Sequence, residues 1–260
     1  MHFNPLTQID DLPLGPEVKV LAANEHGLVA LEKPAGLMSH PNKQGEHARC
    51  LLKADYDYDN EVYRWNAGDG VQRAWLLNRL DSPTSGVILL ALDEEIIPTI
   101  RQLFAAHKVQ KTYYAVVKQT PAPKAGCWKD ALRREAYRKA RVVKTEPERF
   151  AQTDYQVMDQ SKGAFPIALL RLMPVTGRTH QLRIQCQQHN HPIIGDRTYG
   201  DFSFNRRVVK ASGEKRMLLH AAETVLRYTF NGREHRFEAR SELPEAFLRV
   251  MRLANRDHSG

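Results

Sequence analysis

The stretch Asn78-Arg79-Leu80-Asp81-Ser82-Pro83-Thr84-Ser85-Gly86 runs directly into the apolar segment Val87-Ile88-Leu89-Leu90-Ala91-Leu92. An unbroken apolar run of this length after a turn predicts a strand that is buried on both faces. The serine, proline and glycine residues before the run predict a tight turn. We therefore expect Asp81 at the mouth of a sheet, where loops on a rigid scaffold tend to carry reactive groups. The pattern alone favours a structural alternative, in which Asp81 bonds to the amides of Thr84 or Ser85.

Working outward from this strand, the hydrophobic pattern predicts both strands and helices. The predicted strands lie at 18–21, 28–31, 113–117, 153–158, 167–173, 225–230 and 234–239. The predicted helices lie at 93–107, 179–189 and 243–254, with Pro98 and Pro244 in first turns, where proline is tolerated. Residues 40–75 show no clear period. Because strands and helices do not alternate regularly, we predict the α+β class, with a mixed, largely antiparallel sheet and flanking helices.

The chain is predicted to have one main domain, residues 18–260, preceded by a polar arm at 1–17. Residues 119–150 form a basic insertion in which acidic residues such as Asp130 and Glu146 are interleaved. Two interpretations of this segment stay open. It could lie on RNA, or it could be a solvated hairpin with a mixed surface.

Composition favours a polyanionic partner. Lysine and arginine number 38 against 30 aspartates and glutamates, a formal charge of +8, and basic groups near phosphates release condensed counterions. The three cysteines are far apart and odd in number, so a disulfide framework is not expected. The start of the chain lacks a secretory pattern, and no apolar run approaches the ~18 residues of a membrane span. We therefore expect a cytoplasmic protein without a membrane partner.

Common catalytic motifs are missing from the sequence. It contains no GxxxxGK[ST], GxGxxG, HExxH or GxSxG pattern, which disfavours many nucleotide-binding and hydrolytic enzymes. His180, His189 and His191 are close in sequence, but their spacing is not that of a typical zinc site. We expect no metal and no cofactor.

Three further segments carry chemically capable side chains. Lys111-Thr112-Tyr113-Tyr114-Ala115-Val116-Val117 opens a strand with two tyrosines, whose rings face opposite ways. Thr176-Gly177-Arg178-Thr179-His180-Gln181-Leu182-Arg183-Ile184 ends with an arginine between apolar neighbours, so Arg183 is expected to be partly buried and to need a carboxylate partner. His191-Pro192-Ile193-Ile194-Gly195-Asp196-Arg197-Thr198-Tyr199-Gly200-Asp201 is expected to be a turn-rich loop that braces a site.

Taken together, these segments resemble the RluA-type pseudouridine synthases. The shared patterns are RLDxxTSG at 79–86, KxYxA at 111–115, TGRTHQLR at 176–183 and HPIIGDxxYG at 191–200. Leu31-Glu32-Lys33-Pro34-Ala35-Gly36-Leu37 and Leu219-His220-Ala221 are similar to two more motifs of that family. The matches occur in the family's order and cover roughly residues 28–230, which makes chance resemblance a poor explanation.

The resemblance implies an enzyme that isomerises a uridine in RNA without metal or organic cofactor. It implies that Asp81 is the catalytic carboxylate, as nucleophile or base, that Tyr113 stacks on the base, and that Arg183 pairs with Asp81. A carboxylate beside an arginine stays ionised, as a nucleophile must. An aromatic face replaces the stacking lost by a flipped base, worth ~1–3 kcal/mol.

The RNA contacts are predicted from the same motifs and from charge. They involve the following six residues: Asn78, Arg79, Lys111, Arg178, His180 and Arg206. Arg79 is implied to enter the gap that the flipped base leaves. Asn78 departs from the family, which usually has histidine there. Because asparagine keeps a donor and an acceptor, and because the family's histidine is not catalytic, activity is expected to survive.

The RNA substrate is predicted less closely than the reaction. About 30 residues precede the first motif, too few for a separate N-terminal RNA-binding domain, so we expect the catalytic domain itself to recognise RNA. This short form, and the segment 200–206, are similar to the TruC branch, which acts on tRNA; ribosomal RNA stays an alternative. A catalytically idle RNA-binding or ribosome-assembly protein is the alternative function, and Asp81, Tyr113 and Arg183 together favour the enzyme. We expect a monomer.

Overall fold

The structure, a computed structural model, describes residues 9–43, 45–68, 70–132, 137–138, 141–142, 149–161, 163 and 165–255. The chain divides into two units. Unit 1 comprises Met1–Lys111 and Leu219–Leu243, and unit 2 comprises Thr112–Leu218 and Pro244–Gly260. The prediction of one main domain over 18–260 stays a prediction.

The strands are, in chain order, β1 Lys19–Ala23, β2 Leu28–Lys33, β3 Asp55–Asp57, β4 Val62–Ala67, β5 Gly70–Leu76, β6 Ser85–Ala91, β7 Gln110–Lys118, β8 Ala125–Leu132, β9 Tyr137–Arg138, β10 Arg141–Val142, β11 Arg149–Gln160, β12 Ile167–Pro174, β13 Leu219–Phe230 and β14 Arg233–Arg240. The helices are α1 Ile97–Ala105, α2 Gln181–Gln188, α3 Phe202–Ser212 and α4 Glu245–Ala254. No helix in the described part of the chain could span a bilayer; the longest of them, α3, has 11 residues.

Unit 1 is built around β6. Every residue of this strand is buried, which confirms the prediction of a strand covered on both faces. β6 pairs antiparallel with β2 and β5, and in parallel with β13, where His220 lies opposite Ser85. β3 and β4 extend the sheet beyond β5, β1 adds to β2, and β14 adds to β13. Helix α1 packs on this sheet, and its Ile97 and Ile100 join a core formed with strand residues such as Leu89 and Leu226.

Unit 2 contains the antiparallel strand order β7-β12-β11-β8. Helix α2 contacts β8, helix α4 contacts β12, and α3 packs on α4. The predicted basic insertion at 119–150 contains β8 and the short antiparallel pair β9–β10, while residues 133–136, 139–140 and 143–148 lie outside the described residues. Whether this segment contacts RNA therefore stays a prediction.

The mixed, mostly antiparallel sheet with flanking helices confirms the α+β prediction. Four differences from the sequence prediction are informative. Residues 40–75, without a clear period, contain β3, β4 and β5. Helix α3 was not predicted, and Pro244 precedes α4 as its N-cap rather than lying in its first turn. In the predicted N-terminal arm, residues 1–8 lie outside the described residues, and beyond them Leu12 is buried and Gly15 N donates to Leu51 O at 2.8 Å.

Candidate active site

The loop that carries Asp81 is fixed to unit 1 on both sides of the aspartate. The side-chain oxygen of Asn78 accepts from the amide of Leu89 at 2.8 Å, which attaches the start of the loop to β6. The Ser39 hydroxyl donates to Leu80 O at 2.7 Å and accepts from Leu80 N at 3.0 Å. Asn78 therefore has a structural contact in the position where the family usually has histidine.

Immediately after Asp81, the chain makes the predicted tight turn. The amide of Thr84 donates to the main-chain carbonyl of Asp81 at 2.9 Å, so this turn is closed through the backbone. The Asp81 side chain is half-buried, whereas Thr84 and Ser85 are buried. This arrangement fixes the main chain of Asp81 while leaving part of its side chain accessible to solvent.

A buried lysine holds the far side of the loop. The ammonium of Lys33 donates to the carbonyls of Leu37 at 2.7 Å, Ser82 at 3.0 Å and Pro34 at 3.1 Å. The amide of Gly36 also donates to Ser82 O, at 2.7 Å. Lys33 is 0% exposed, and a buried cation is tolerated only where polar groups replace water. The lysine of the motif at 31–37 thus ties that segment to the Asp81 loop.

The glycine of the Thr-Ser-Gly sequence permits a close approach of β13. Gly86 has φ +111°, and a Cβ there would lie 2.1 Å from Ala221 O. One residue earlier, the Ser85 hydroxyl lies 2.8 Å from His220 Nδ1, while His220 Nε2 lies 3.4 Å from Ser241 O. Because a carbonyl only accepts, neutral His220 carries its proton on Nε2 and accepts from Ser85 at Nδ1.

Two predicted RNA-binding residues of unit 1 differ in exposure. The side chain of Arg79 is 60% exposed and lies 3.7 Å from Glu61, which also lies 3.8 Å from Arg101. Lys111 is half-buried, and this burial lowers the pKa of its ammonium to about 8. Arg79 is therefore a solvent-facing cation, whereas burial makes the ammonium of Lys111 easier to deprotonate than that of an exposed lysine.

In unit 2, Arg183 lies on α2 in a buried ion pair. Its Nε and Nη2 donate to the two carboxylate oxygens of Asp196 at 2.7 and 2.9 Å, and the residues are 5% and 0% exposed. Asp196 also accepts from the amides of Thr198 at 2.8 Å and Tyr199 at 3.0 Å. Burial alone would raise the pKa of Asp196, but Arg183 and the two amides hold it below its usual value.

This geometry confirms the expectation that Arg183 is buried beside a carboxylate. The partner found here is Asp196, and the pairing of Arg183 with Asp81 stays a prediction. Tyr199 links Arg183 to His180, another predicted site residue. Its ring centroid lies 5.0 Å from the Arg183 guanidinium carbon, and its hydroxyl lies 3.0 Å from His180 Nδ1. Arg183, His180, Tyr199 and Asp196 thus form one cluster.

A buried polar network holds α2 against the sheet of unit 2. Gln181 accepts from Thr176 Oγ1 at 2.7 Å and donates to Thr153 Oγ1 at 3.0 Å. Gln185 accepts from Thr153 Oγ1 at 2.6 Å and donates to Asp130 at 2.7 Å. These contacts fix the helix that carries Arg183, and they explain why glutamine occupies a buried position in the segment 176–184.

The remaining predicted residues of unit 2 lie at its strands and helices. Tyr113 lies on β7, half-buried and opposite Leu172 of β12. Arg178 donates from Nε to Phe150 O at 3.3 Å, and Arg206 is exposed on α3. The three histidines considered for metal have separate contacts, which involve the following pairs: His180 with Tyr199, His189 with Asp130, and His191 with Lys118 O.

Comparison with known proteins identifies the family. Residues 27–188, more than half of the chain, match the family described as RNA pseudouridylate synthase. The chain belongs to this family. The family and the enzyme class predicted from the sequence are thereby confirmed.

Curated relatives extend the match beyond these residues. A tRNA pseudouridine synthase C of Pectobacterium carotovorum is 33% identical over 238 residues, which cover 87% of this chain and 60% of the relative. The same enzyme of Vibrio parahaemolyticus is 32% identical, with 84% of this chain and 88% of the relative covered. The chain thus spans less than two thirds of the Pectobacterium protein but most of the Vibrio protein.

Solved structures support the fold. Human RNA Pseudouridylate Synthase Domain Containing 4 superposes with a TM-score of 0.64 at 24% identity, and 98% of each chain is covered. Human RNA Pseudouridylate Synthase Domain Containing 1 has a TM-score of 0.62 at 19% identity, with 91% of this chain and 95% of that chain covered. At these identities the likeness concerns the fold alone.

In this member of the family, the predicted site residues divide between the units. Asn78, Arg79 and Asp81 lie on one loop of unit 1, and Lys111 lies elsewhere in the same unit. The predicted residues of unit 2 are Tyr113, Arg178, His180, Arg183 and Arg206. No role was predicted from the sequence for Lys33, His220, Asp196 or Tyr199. All four lie in motif segments of the family, so the sequence contained a signal for them although it did not show their contacts.

Proposed function

We propose that this protein isomerises a specific uridine of tRNA to pseudouridine, with Asp81 as its catalytic carboxylate. The observation that carries the proposal is the anchored loop around Asp81 in a chain of the RNA pseudouridylate synthase family. A carboxylate must be held in place to attack efficiently, because orientation supplies much of the rate enhancement. The contacts from Lys33, Ser39 and Asn78 provide that orientation for the main chain on each side of Asp81.

The proposed reaction breaks the glycosidic bond at uracil N1 and forms a bond from ribose C1′ to uracil C5. The proton on C5 is lost to water and N1 regains one, so the reaction is an isomerisation without an external reactant. Asp81 acts at the ribose or uracil as nucleophile or base. An ionised carboxylate serves either role, and a cationic neighbour favours ionisation.

The roles proposed for Tyr113 and Arg183 rest on their individual environments. Tyr113 keeps part of its ring exposed on β7, which is compatible with stacking on a base that has left its helix. Arg183 is held rigidly by Asp196, so its guanidinium has a fixed direction. Arg79, exposed on the Asp81 loop, is proposed to occupy the space that the flipped base vacates.

RNA tritiated at uracil C5 tests the chemistry directly. The wild-type protein is expected to release tritium to water, while Asp81→Asn binds the same RNA and releases none. Asp59→Asn, an exposed aspartate of unit 1, is the matched control and is expected to behave like wild type. Tritium release by Asp81→Asn at the wild-type rate would overturn the assignment.

The stacking role has a separate test. Tyr113→Ala is expected to lose the ~1–3 kcal/mol that base stacking contributes, whereas Tyr113→Phe keeps the ring and most of the binding. Full turnover by Tyr113→Ala would remove this role without affecting the assignment of Asp81.

The choice of tRNA rests on the relatives, which are named as tRNA pseudouridine synthases. Their alignments cover 84–87% of this chain. Mapping pseudouridines in total RNA from a deletion strain identifies the substrate. Loss of a site in tRNA supports the proposal, and loss in ribosomal RNA would redirect it. If no site is lost and binding persists, the alternative of an idle RNA-binding protein is favoured. The cytoplasmic location and the monomeric state stay predictions.

A further inference from the structure

Two histidines and a glutamate of unit 1 converge away from the Asp81 loop. Glu25 and His26 lie in the turn between β1 and β2, and His235 lies on β14. One donor atom of each lies within 4.8 Å of the others, and the two imidazole rings are 4.3 Å apart between centroids. We propose that Glu25, His26 and His235 bind a divalent transition-metal ion, with zinc as the reference ion.

The distance between two of these ligands is close to the one that a zinc ion requires. His26 Nε2 and Glu25 Oε1 are 3.7 Å apart. Two ligands at about 2.0–2.1 Å from a tetrahedral zinc ion lie roughly 3.3 Å apart, so a small rotation of Glu25 closes the pair. The Glu25 side chain is 71% exposed and is therefore able to make this rotation. Three protein ligands leave a position for water or for a further ligand.

The hydrogen bonds behind the histidines orient their rings. His26 Nδ1 lies 2.9 Å from the Tyr228 hydroxyl, which also accepts from Asn24 Nδ2 at 2.8 Å. His235 Nε2 lies 3.3 Å from Phe230 O, and because a carbonyl only accepts, this nitrogen carries the proton. Each ring thus has one nitrogen in a supporting hydrogen bond. Metal-binding histidines in proteins typically have this kind of support.

The ligand chemistry selects the class of ion. Imidazole nitrogen favours zinc, copper and nickel over magnesium and calcium, which prefer sets of oxygen ligands. The site is also separate from the Asp81 loop. Leu28, just after His26, pairs with Ala91 at one end of β6, and Gly86, just after the Asp81 loop, lies at the other end. These strand positions are about 17 Å apart at ~3.3 Å per residue. The ion would join the β1–β2 turn to β14 without taking part in the isomerisation.

Zinc binding to the chelator-treated full chain is the test, measured by equilibrium dialysis and by the visible spectrum of added Co²⁺. We expect one ion per chain, retained in excess magnesium. His26→Ala/His235→Ala is expected to lose stoichiometric binding, and Glu25→Ala is expected to weaken it. His107→Ala, an exposed histidine of unit 1, is the control that keeps binding.

Tyr228→Phe tests the supporting hydrogen bond. It keeps the buried ring, and it is expected to weaken zinc affinity about 10–100-fold, as loss of an outer-shell partner does. Glu25→Ala, at an exposed position, guards against misfolding and is expected to release tritium from RNA at the wild-type rate. Wild type without stoichiometric zinc, or equal zinc binding by the double histidine variant, would overturn the proposal. A positive result would correct our sequence-based expectation that the chain binds no metal, and neither result bears on Asp81.

Discussion

Replacing Asp196 by asparagine is expected to lower the free energy of unfolding by about 3 kcal/mol. A buried ion pair that loses one partner typically costs about 3–5 kcal/mol. Asparagine retains one oxygen, which in the wild type accepts from Arg183 Nη2 and from the amides of Thr198 and Tyr199. The other oxygen, which accepts from Arg183 Nε at 2.7 Å, becomes an NH₂ group that faces a donor. Because three of the four bonds survive, we expect the lower end of the range.

Urea denaturation at pH 7 measures this loss. The matched control is Glu245→Gln, because the Glu245–Arg252 pair is an ion pair with both side chains 64% exposed. Exposed pairs contribute less than about 1 kcal/mol, so the control should stay close to wild type. A loss for Asp196→Asn no larger than that of the control would refute the reasoning. If Arg183 acts in catalysis as proposed, tritium release should fall in Asp196→Asn as well.

The pH dependence follows from the direction of the pKa shift. The pKa of Asp196 is lower in the folded chain than its usual value, so the folded state binds the proton less tightly than the unfolded state. Its contribution to stability is therefore fully present above the unfolded pKa of about 3.9, and is lost as the pH falls through the folded pKa. The difference in free energy of unfolding between wild type and Asp196→Asn should stay constant from about pH 5 to 7 and become smaller in acid. A gap that widens in acid would contradict the assignment of this ion pair.

Three further substitutions test other parts of the fold by urea denaturation. Gly86→Ala should lower the free energy of unfolding by at least about 2 kcal/mol, because a Cβ there lies 2.1 Å from Ala221 O. Gly213→Ala is the control and should lower it less, because Gly213 also has a positive φ, +73°, but open space around it. Equal losses in the two variants would contradict the close approach of β13 to Gly86. Lys33→Met should cost at least about 2 kcal/mol by leaving buried carbonyls without their donor, and a neutral effect would contradict its role. Lys111→Met should be more stable than wild type at pH 7. Burial lowers the pKa of Lys111 from 10.5 to about 8, so the charged lysine destabilises the folded wild type fully below pH 8 and no longer above about pH 10.5. The difference in free energy of unfolding between Lys111→Met and wild type should therefore shrink between these pH values. A difference that grows over that range would contradict the pKa shift.

The secondary structure could be predicted where one physical signal dominated. Residues 87–91 of strand β6 are all apolar because neighbouring strands and helix α1 cover them, so this part of the sequence alone identified the strand. In strand β5 burial does not follow polarity, because Val71 is exposed while Gln72 is half-buried, so its sequence shows no clear apolar period. Helix α3 buries only Phe204 and Val208, and most of its other residues are polar or charged. Its end signals, Asp201 as N-cap and Gly213 as a left-handed C-cap, were nevertheless present in the sequence.

The candidate site could be predicted only in part, because its contacts join residues distant in sequence. The position of Asp81 in a turn before a strand followed from the local pattern. The contact between Ser85 and His220 joins residues 135 positions apart, and no local period encodes it. The partner of Arg183 was expected to be a carboxylate, but selecting Asp196 required the fold of the intervening turn. The roles of individual residues in catalysis stay predictions.

The motif residues separate into two groups with different expected behaviour. Lys33, Gly86 and His220 contact the loop or strand beside Asp81, and Asp196 holds Arg183. A reactive group needs such supporting contacts, because a small displacement costs much of the gain from orientation. Substitutions in this group should therefore lower stability and activity together. Asp81→Asn changes a half-buried side chain on a turn closed through the backbone, so it should abolish tritium release while leaving urea stability close to wild type. If Asp81→Asn instead unfolded the chain as readily as Lys33→Met, Asp81 would belong with the supporting residues, and the catalytic role would need another carboxylate.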